Sequence, residues 1–120
     1  MEARVIYHMC RRAEWAAAEV AGSYRGSSQD AADGFIHFST AEQIGESARK
    51  HRAGQGDLVL VTVDAARLGA ALKWEPSRGG ALFPHLYGPL PLETVIRVDP
   101  LPLGSDGLHL FPRLRENTAT

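Results

Sequence analysis

The stretch Asp57-Leu58-Val59-Leu60-Val61-Thr62-Val63 decides how this chain folds. A strand covered on one side only alternates apolar with polar residues. This stretch is almost continuously apolar, so the pattern predicts a central strand buried on both faces. Its longest apolar run, Leu58-Val59-Leu60-Val61, ends at Thr62. That is far short of the roughly 20 residues a membrane-spanning helix needs.

Working outward from that strand, residues 41–53 read as a helix. Ile44 and Ala48 lie four apart on one face of it, and Gly54 follows. Residues 34–39, Gly-Phe-Ile-His-Phe-Ser, read as a strand, and the polar residues 23–33 as a loop. Residues 12–21, rich in Ala and Glu and followed by Gly22, read as a helix with Trp15 and Ala18 on its inner stripe. Residues 4–9 contain Val5, Ile6 and Tyr7 and read as a strand with both faces covered. On the other side, Asp64-Ala-Ala-Arg-Leu-Gly69 predicts a short helical turn, and residues 94–98 a final strand. All seven prolines lie after residue 75. Proline donates no backbone hydrogen bond, so the segments around Pro76, Pro84, Pro89 and Pro91 are expected to be edge strands or rigid loops. Helices early and short strands late argue for an α+β domain of two small packed, mostly antiparallel sheets and two helices. At 120 residues the chain has room for one domain, residues 1–114, followed by a tail, 115–120.

Composition excludes several functions. Thirteen basic and 14 acidic residues give a net charge of -1, without the basic excess of a dedicated nucleic-acid binder. The lone Cys10 allows neither an internal disulfide nor a four-cysteine zinc site. Met1-Glu2-Ala3-Arg4 lacks the charged and apolar blocks of a signal peptide, which points to the cytoplasm. There is no P-loop, dinucleotide-binding glycine fingerprint, nucleophile elbow or His-Glu-x-x-His helix.

The five histidines carry more information. His8 and His37 each lie within an apolar strand, where an unpaired polar group is costly. Alternation places His37 on one face with Phe35 and Ser39, while Ile36 and Phe38 point the other way. Each histidine is either a satisfied core residue or part of a cleft, and two such strands lying side by side would favour the cleft. Ser39 with Glu42, and Thr40 with Gln43, both match a capping box, and the same junction offers free N–H groups to an anion. Trp74-Glu75-Pro76-Ser77-Arg78-Gly79-Gly80 combines a carboxylate, a guanidinium and a flat ring with flexible glycines. It is either a surface turn or the rim of a site. In Phe83-Pro84-His85-Leu86-Tyr87-Gly88-Pro89-Leu90 the prolines stiffen the backbone, and His85 and Tyr87 share a face suited to stacking and hydrogen bonding. His51, among Arg49, Lys50 and Arg52, reads as a helix-end cation, and His109 lies near the tail. Cys10, in an apolar setting, does not read as a nucleophile. No tandem metal spacing occurs, although His8, His37, His85 and Glu75 leave a histidine-dependent metal enzyme as an alternative.

Ile6-Tyr7-His8, Gly34-Phe35-Ile36-His37-Phe38-Ser39-Thr40, Leu72-Lys73-Trp74-Glu75 and Phe83-Pro84-His85-Leu86-Tyr87-Gly88-Pro89-Leu90 together resemble a bacterial family, domain of unknown function 952. The resemblance spans about residues 4–101. That family in turn looks like a compact relative of the ADP-ribosyltransferase fold. In some branches of that fold a first-strand His contacts the ribose of NAD, which Tyr7-His8 matches. In others a strand ending in Ser-Thr supports the nicotinamide, to which Phe38-Ser39-Thr40 is similar. A late strand there supplies a glutamate. The matching stretch here, His85-Leu86-Tyr87, has none, and Glu75 from a neighbouring strand is the substitute. The resemblance implies a cleft for a small nucleotide-like ligand, with NAD as a substrate. His8, His37 and Glu75 would be catalytic, and Tyr7, Ser39, Thr40, Arg78, His85 and Tyr87 would bind the ligand. Neither a membrane nor a nucleic acid is implied as partner. The alternative is a non-catalytic binding or interaction module on the same fold.

Overall fold

The computed structural model describes residues 4–114, so the expected tail at 115–120 lies outside the described residues. The decisive stretch forms β4 (Leu58–Asp64), the middle strand of a three-stranded antiparallel sheet. It lies between β1 (Val5–Arg11) and β8 (Val95–Leu101). Its side chains alternate between two cores. Val59, Val61 and Val63 enter one, and Leu58 and Leu60 the other. β1 alternates in the same way, with Ile6 and Cys10 on the first side and Val5 and Tyr7 on the second. Both strands are thus covered on two faces, as their apolar runs predict.

The first core is closed by α1 (Arg12–Ala21), which contributes Trp15 and Ala18 before ending at Gly22 in the left-handed conformation. The second is closed by α3 (Ile44–His51), through Ile44, with Phe111 and Leu114 packed against it. Among the described residues no helix is long and apolar enough to cross a membrane.

The polar residues 23–33 are not the expected loop but hold two elements. β2 (Ser23–Tyr24) pairs with β7 (Leu90–Pro91), and α2 is Ser28–Asp33. The helix forms because Ser27 and Asp30 make a reciprocal capping box and Gly34 supplies the left-handed C-terminal residue. The described residues therefore contain three α-helices rather than two, and three sheets rather than two. The helix expected at 41–53 is shorter, because residues 41–43 form a turn before it. The last strand begins and ends later than expected, at Val95 and Leu101.

The third sheet has the order β3-β6-β5, from β3 (Ile36–His37), β6 (Leu82–Leu86) and β5 (Leu72–Pro76). The strand expected at 34–39 keeps two ladder residues, and beyond them Tyr7 and Ser39 exchange two 2.8 Å backbone bonds that tie this sheet to β1. The proline-bearing β6 is a central strand, not an edge. Pro84 fits because β3 ends beside it. Phe38 N–H still donates to the Pro84 carbonyl at 3.0 Å, and the return bond that proline cannot make falls where the ladder stops.

Candidate functional site

Register places the chemistry on one face of this third sheet. His37 lies opposite His85, and Ile36 opposite Leu86. Ile36, Phe38 and Leu86 enter the core, so His37 and His85 are turned to the other face. Lys73 is opposite His85 and Glu75 opposite Phe83, so Glu75 is the diagonal cross-strand neighbour of His85. A cleft of about 640 Å³ opens over this face and is walled by β1, α2, α3 and the β5–β6 turn. His8, His37 and His85 all line it.

His8 forms the deepest wall and is only 2% exposed. Its Nδ1 donates to the His37 carbonyl at 2.6 Å, because a carbonyl can only accept. Its Nε2 lies 2.6 Å from the Tyr24 hydroxyl and 3.6 Å from Asp30 Oδ2. Burial lowers the pKa of His8, against the opposing pull of Asp30. The neutral ring therefore accepts the Tyr24 proton at Nε2. The Cys10 thiol behind it is pushed up to about 12 by burial and stays protonated.

Asp30 is the hub. It is 3% exposed and accepts from Ser27 N at 2.7 Å, from His37 N at 3.1 Å and from His37 Nδ1 at 2.6 Å. Burial alone would raise its pKa. The hydrogen bonds and the nearby His8 outweigh burial and hold it at about 2. Gly26 makes room for it. A Cβ there would stand 2.8 Å from Asp30 Cβ, and the residue has φ of 103°. His37 also places Nε2 3.1 Å from Asp33 Oδ2, and its side chain is 38% exposed. Both carboxylates accept, so the ring makes both bonds only with a proton on each nitrogen.

His85 is held differently. Its Nδ1 lies 2.8 Å from Glu75 Oε1, and the Tyr87 hydroxyl donates to the same oxygen at 2.7 Å. The bonds from Tyr87 and His85 lower the pKa of Glu75, so the carboxylate accepts from both. Phe35 stacks on the His85 ring, 4.1 Å between centroids. With Nδ1–H committed to Glu75, Nε2 is the nitrogen left facing the cleft, and no described residue bonds to it.

The other expected site residues divide by position. Tyr7 and Ser39 line the cleft, with Ser39 Oγ 3.0 Å from Ser47 Oγ. Thr40 is buried and caps the turn into α3. Its N–H donates to Gln43 Oε1 at 3.0 Å, and its Oγ1 accepts from Gln43 N at 3.3 Å. Glu75 and Tyr87 stand behind His85 rather than on the cleft wall, so Glu75 is not at the rim. The side chain of Arg78 lies outside the described residues. His51, set aside on sequence, lines the cleft, whereas His109 bonds the Gln55 carbonyl elsewhere. Sequence reasoning missed Asp30, Asp33 and Tyr24. The spacing Ser27-x-x-Asp30 ahead of Gly34 is the signal that would have revealed the helix carrying both acids. Among the described residues, no three His, Cys, Asp or Glu side chains are grouped to hold a metal ion.

The model of the family described as "Protein of unknown function (DUF952)" matches residues 9–98. The chain belongs to this family. Among solved structures, the chain is similar to the crystal structure of protein CC0527 from Caulobacter crescentus. Identity is 52% over 88% of this chain and 93% of that one, with a TM-score of 0.85. The solution NMR structure of CC0527 matches at 52% identity over 88% and 90%, with a TM-score of 0.79. No curated protein matches the chain.

Proposed function

We propose that this member of the family binds a small nucleotide-like ligand, NAD or an ADP-ribose derivative, in the histidine-lined cleft. The observation that supports this most is the convergence of His8, His37 and His85, three histidines from two sheets, on one cleft of about 640 Å³. That volume is in the range of small-molecule sites. His85 Nε2 and the Ser39 hydroxyl offer hydrogen bonds to ribose hydroxyls, and Phe83 on the cleft wall offers a face for a heterocycle.

Transfer of an ADP-ribosyl group draws less support than binding. An oxocarbenium-like state favours a nearby carboxylate, and Glu75 directs its Oε1 at His85 and Tyr87 instead of into the cleft. Glu75 is therefore turned away from a transfer role, and the carboxylates on the cleft wall are Asp30, Asp33, Glu42 and Glu46. The test is a thermal-shift series with NAD, ADP-ribose and nicotinamide. Binding at a hundredfold excess over Kd adds about 2.7 kcal/mol of stability, a rise of several degrees. An unchanged melting temperature at millimolar NAD and ADP-ribose overturns the proposal.

A further inference from the structure

The two cleft-facing imidazoles have complementary hydrogen-bond partners. His37 has a carboxylate at each nitrogen, 2.6 Å away at Asp30 and 3.1 Å at Asp33, and therefore carries a proton at Nε2 when both bonds are made. His85 has one carboxylate, at Nδ1, which leaves Nε2 facing the cleft. The rings sit on directly paired residues of adjacent strands, 5.6 Å between centroids and edge to face. A base and an acid at this spacing can serve two oxygens on opposite sides of one centre. Asp30 and Glu75 are committed to orienting the rings, so neither is free to attack a sugar carbon. Lys50 of α3 and Arg52 just after it also line the cleft, with Lys50 3.9 Å from Glu46 and Arg52 bonded to the Met9 carbonyl, beside the carboxylates of Asp33, Glu42 and Glu46.

We infer that the cleft cleaves ribonucleotide phosphodiesters, with His85 as general base and His37 as general acid. This rests on the proposal that the cleft takes a nucleotide-like ligand, and it names the reaction. The ligand's 2′-hydroxyl gives its proton to His85 Nε2 while its oxygen bonds to phosphorus. The P–O5′ bond breaks, and its electron pair leaves with O5′, which takes a proton from His37 Nε2. The products are a 2′,3′-cyclic phosphate and a free 5′-hydroxyl. The two rings then exchange their proton with solvent, so no other reactant is consumed. Asp33 is about half exposed, and the leaving oxygen takes its place at Nε2. Glu75 and Tyr87 are positioning residues, since they act through the His85 ring.

The test uses the full chain with a ribodinucleotide in the presence of EDTA, reading cyclic phosphate by chromatography. A matched dinucleotide with a 2′-deoxy attacking sugar is the control. The expected result is cyclic phosphate from the ribodinucleotide alone. His85→Gln, with an unchanged melting temperature, should lose about 10²- to 10⁴-fold in rate. Should His37→Gln fail to fold, His85→Gln and the deoxy control still decide the matter. Absence of cyclic phosphate from the wild type overturns the inference, as does a folded His85→Gln that cleaves at the wild-type rate. Release of nicotinamide from NAD with no dinucleotide cleavage overturns it in favour of glycosidic chemistry. A dinucleotide that raises the melting temperature but stays intact overturns the reaction and leaves the binding proposal standing. Failure of every nucleotide to shift the melting temperature removes the binding proposal itself.

Discussion

Two histidine–carboxylate assemblies meet in the cleft, and they differ in how they are built. Asp30 is buried, accepts three hydrogen bonds, and lies between His37 and the core residue His8. Glu75 lies on β5, is about one-third exposed, and holds His85 and Tyr87 through a single oxygen. The first assembly joins α2, β3 and β1, so removing it breaks the fold as well as the site. The second spans only the β5–β6 pair and its extension, so it can be altered while the fold remains.

The largest expected effect is therefore at Asp30. Removing one partner of a buried, hydrogen-bonded ionic group costs about 3–5 kcal/mol. Asp30→Ala should lose that much in urea unfolding, and a loss below about 1 kcal/mol would show that the hub is dispensable. The acid limb of stability should carry the same signature. Asp30 titrates at about 2 in the folded chain, against 3.8 for an unperturbed aspartate. Its contribution, about 2 kcal/mol, is complete above pH 4 and disappears as the pH falls through the folded value. Wild type and Asp30→Asn should therefore converge in stability between about pH 4 and 2. Parallel curves over that interval would place the acid sensitivity elsewhere.

Gly26→Ala should come next, at about 2–3 kcal/mol. It adds a Cβ 2.8 Å from Asp30 Cβ at a positive φ that side chains rarely adopt. If the comparison is right, the variant should also disturb the ring environment of His37, read by NMR. His85 should be affected less, through its ring contact with His37, because its own hydrogen bonds belong to the other assembly.

The same contrast explains what could be read from the sequence. β4 and β1 announce themselves because two-sided burial writes an unbroken apolar run, and the cores on either side of them follow from that run. The face shared by His37 and Ser39, and that shared by His85 and Tyr87, follow from alternation alone. Asp30 was illegible for a different reason. Its neighbours Ser27, Ser28 and Gln29 look like loop, and the acid gains its meaning only when α2 folds back over the β1 edge. Glu75 was legible as a residue worth naming but not in its role. A diagonal contact between β5 and β6 depends on register, which hydrophobic pattern does not specify in a short proline-bearing strand. The β2–β7 sheet was missed, with residues 23–33 read as a loop, because two-residue strands leave almost no periodicity to read.

His8 supplies a smaller effect that sharpens the boundary between the assemblies. Its folded pKa is lowered by burial, so unfolding below pH 6.5 takes up a proton that the folded ring resists. Stability should therefore decline as pH falls below about 6.5, well above the range in which Asp30 acts. His8→Gln, which keeps a polar side chain near Tyr24, should flatten this decline. An unchanged slope in the variant would mean that the ring is not held neutral.

Glu75→Gln should have the smallest effect on stability and the clearest effect on chemistry. The carboxylate is partly exposed, and exposed pairs contribute little, so the melting temperature should barely change. The tautomer of His85 should change instead. A carboxylate oxygen can only accept, which keeps the proton on Nδ1 and leaves Nε2 as a base. A glutamine amide can donate to Nδ1, which stabilises the ring with its proton on Nε2, turned to the cleft. Nitrogen NMR of the imidazole reads this exchange directly, and dinucleotide cleavage should fall with it, whereas Glu75→Asp should restore both in part. If Glu75→Gln leaves the tautomer and the rate untouched, Glu75 is a surface partner of His85 and not its positioning residue. The contrast between a hub that holds the fold and a pair that sets a proton would then rest on Asp30 alone.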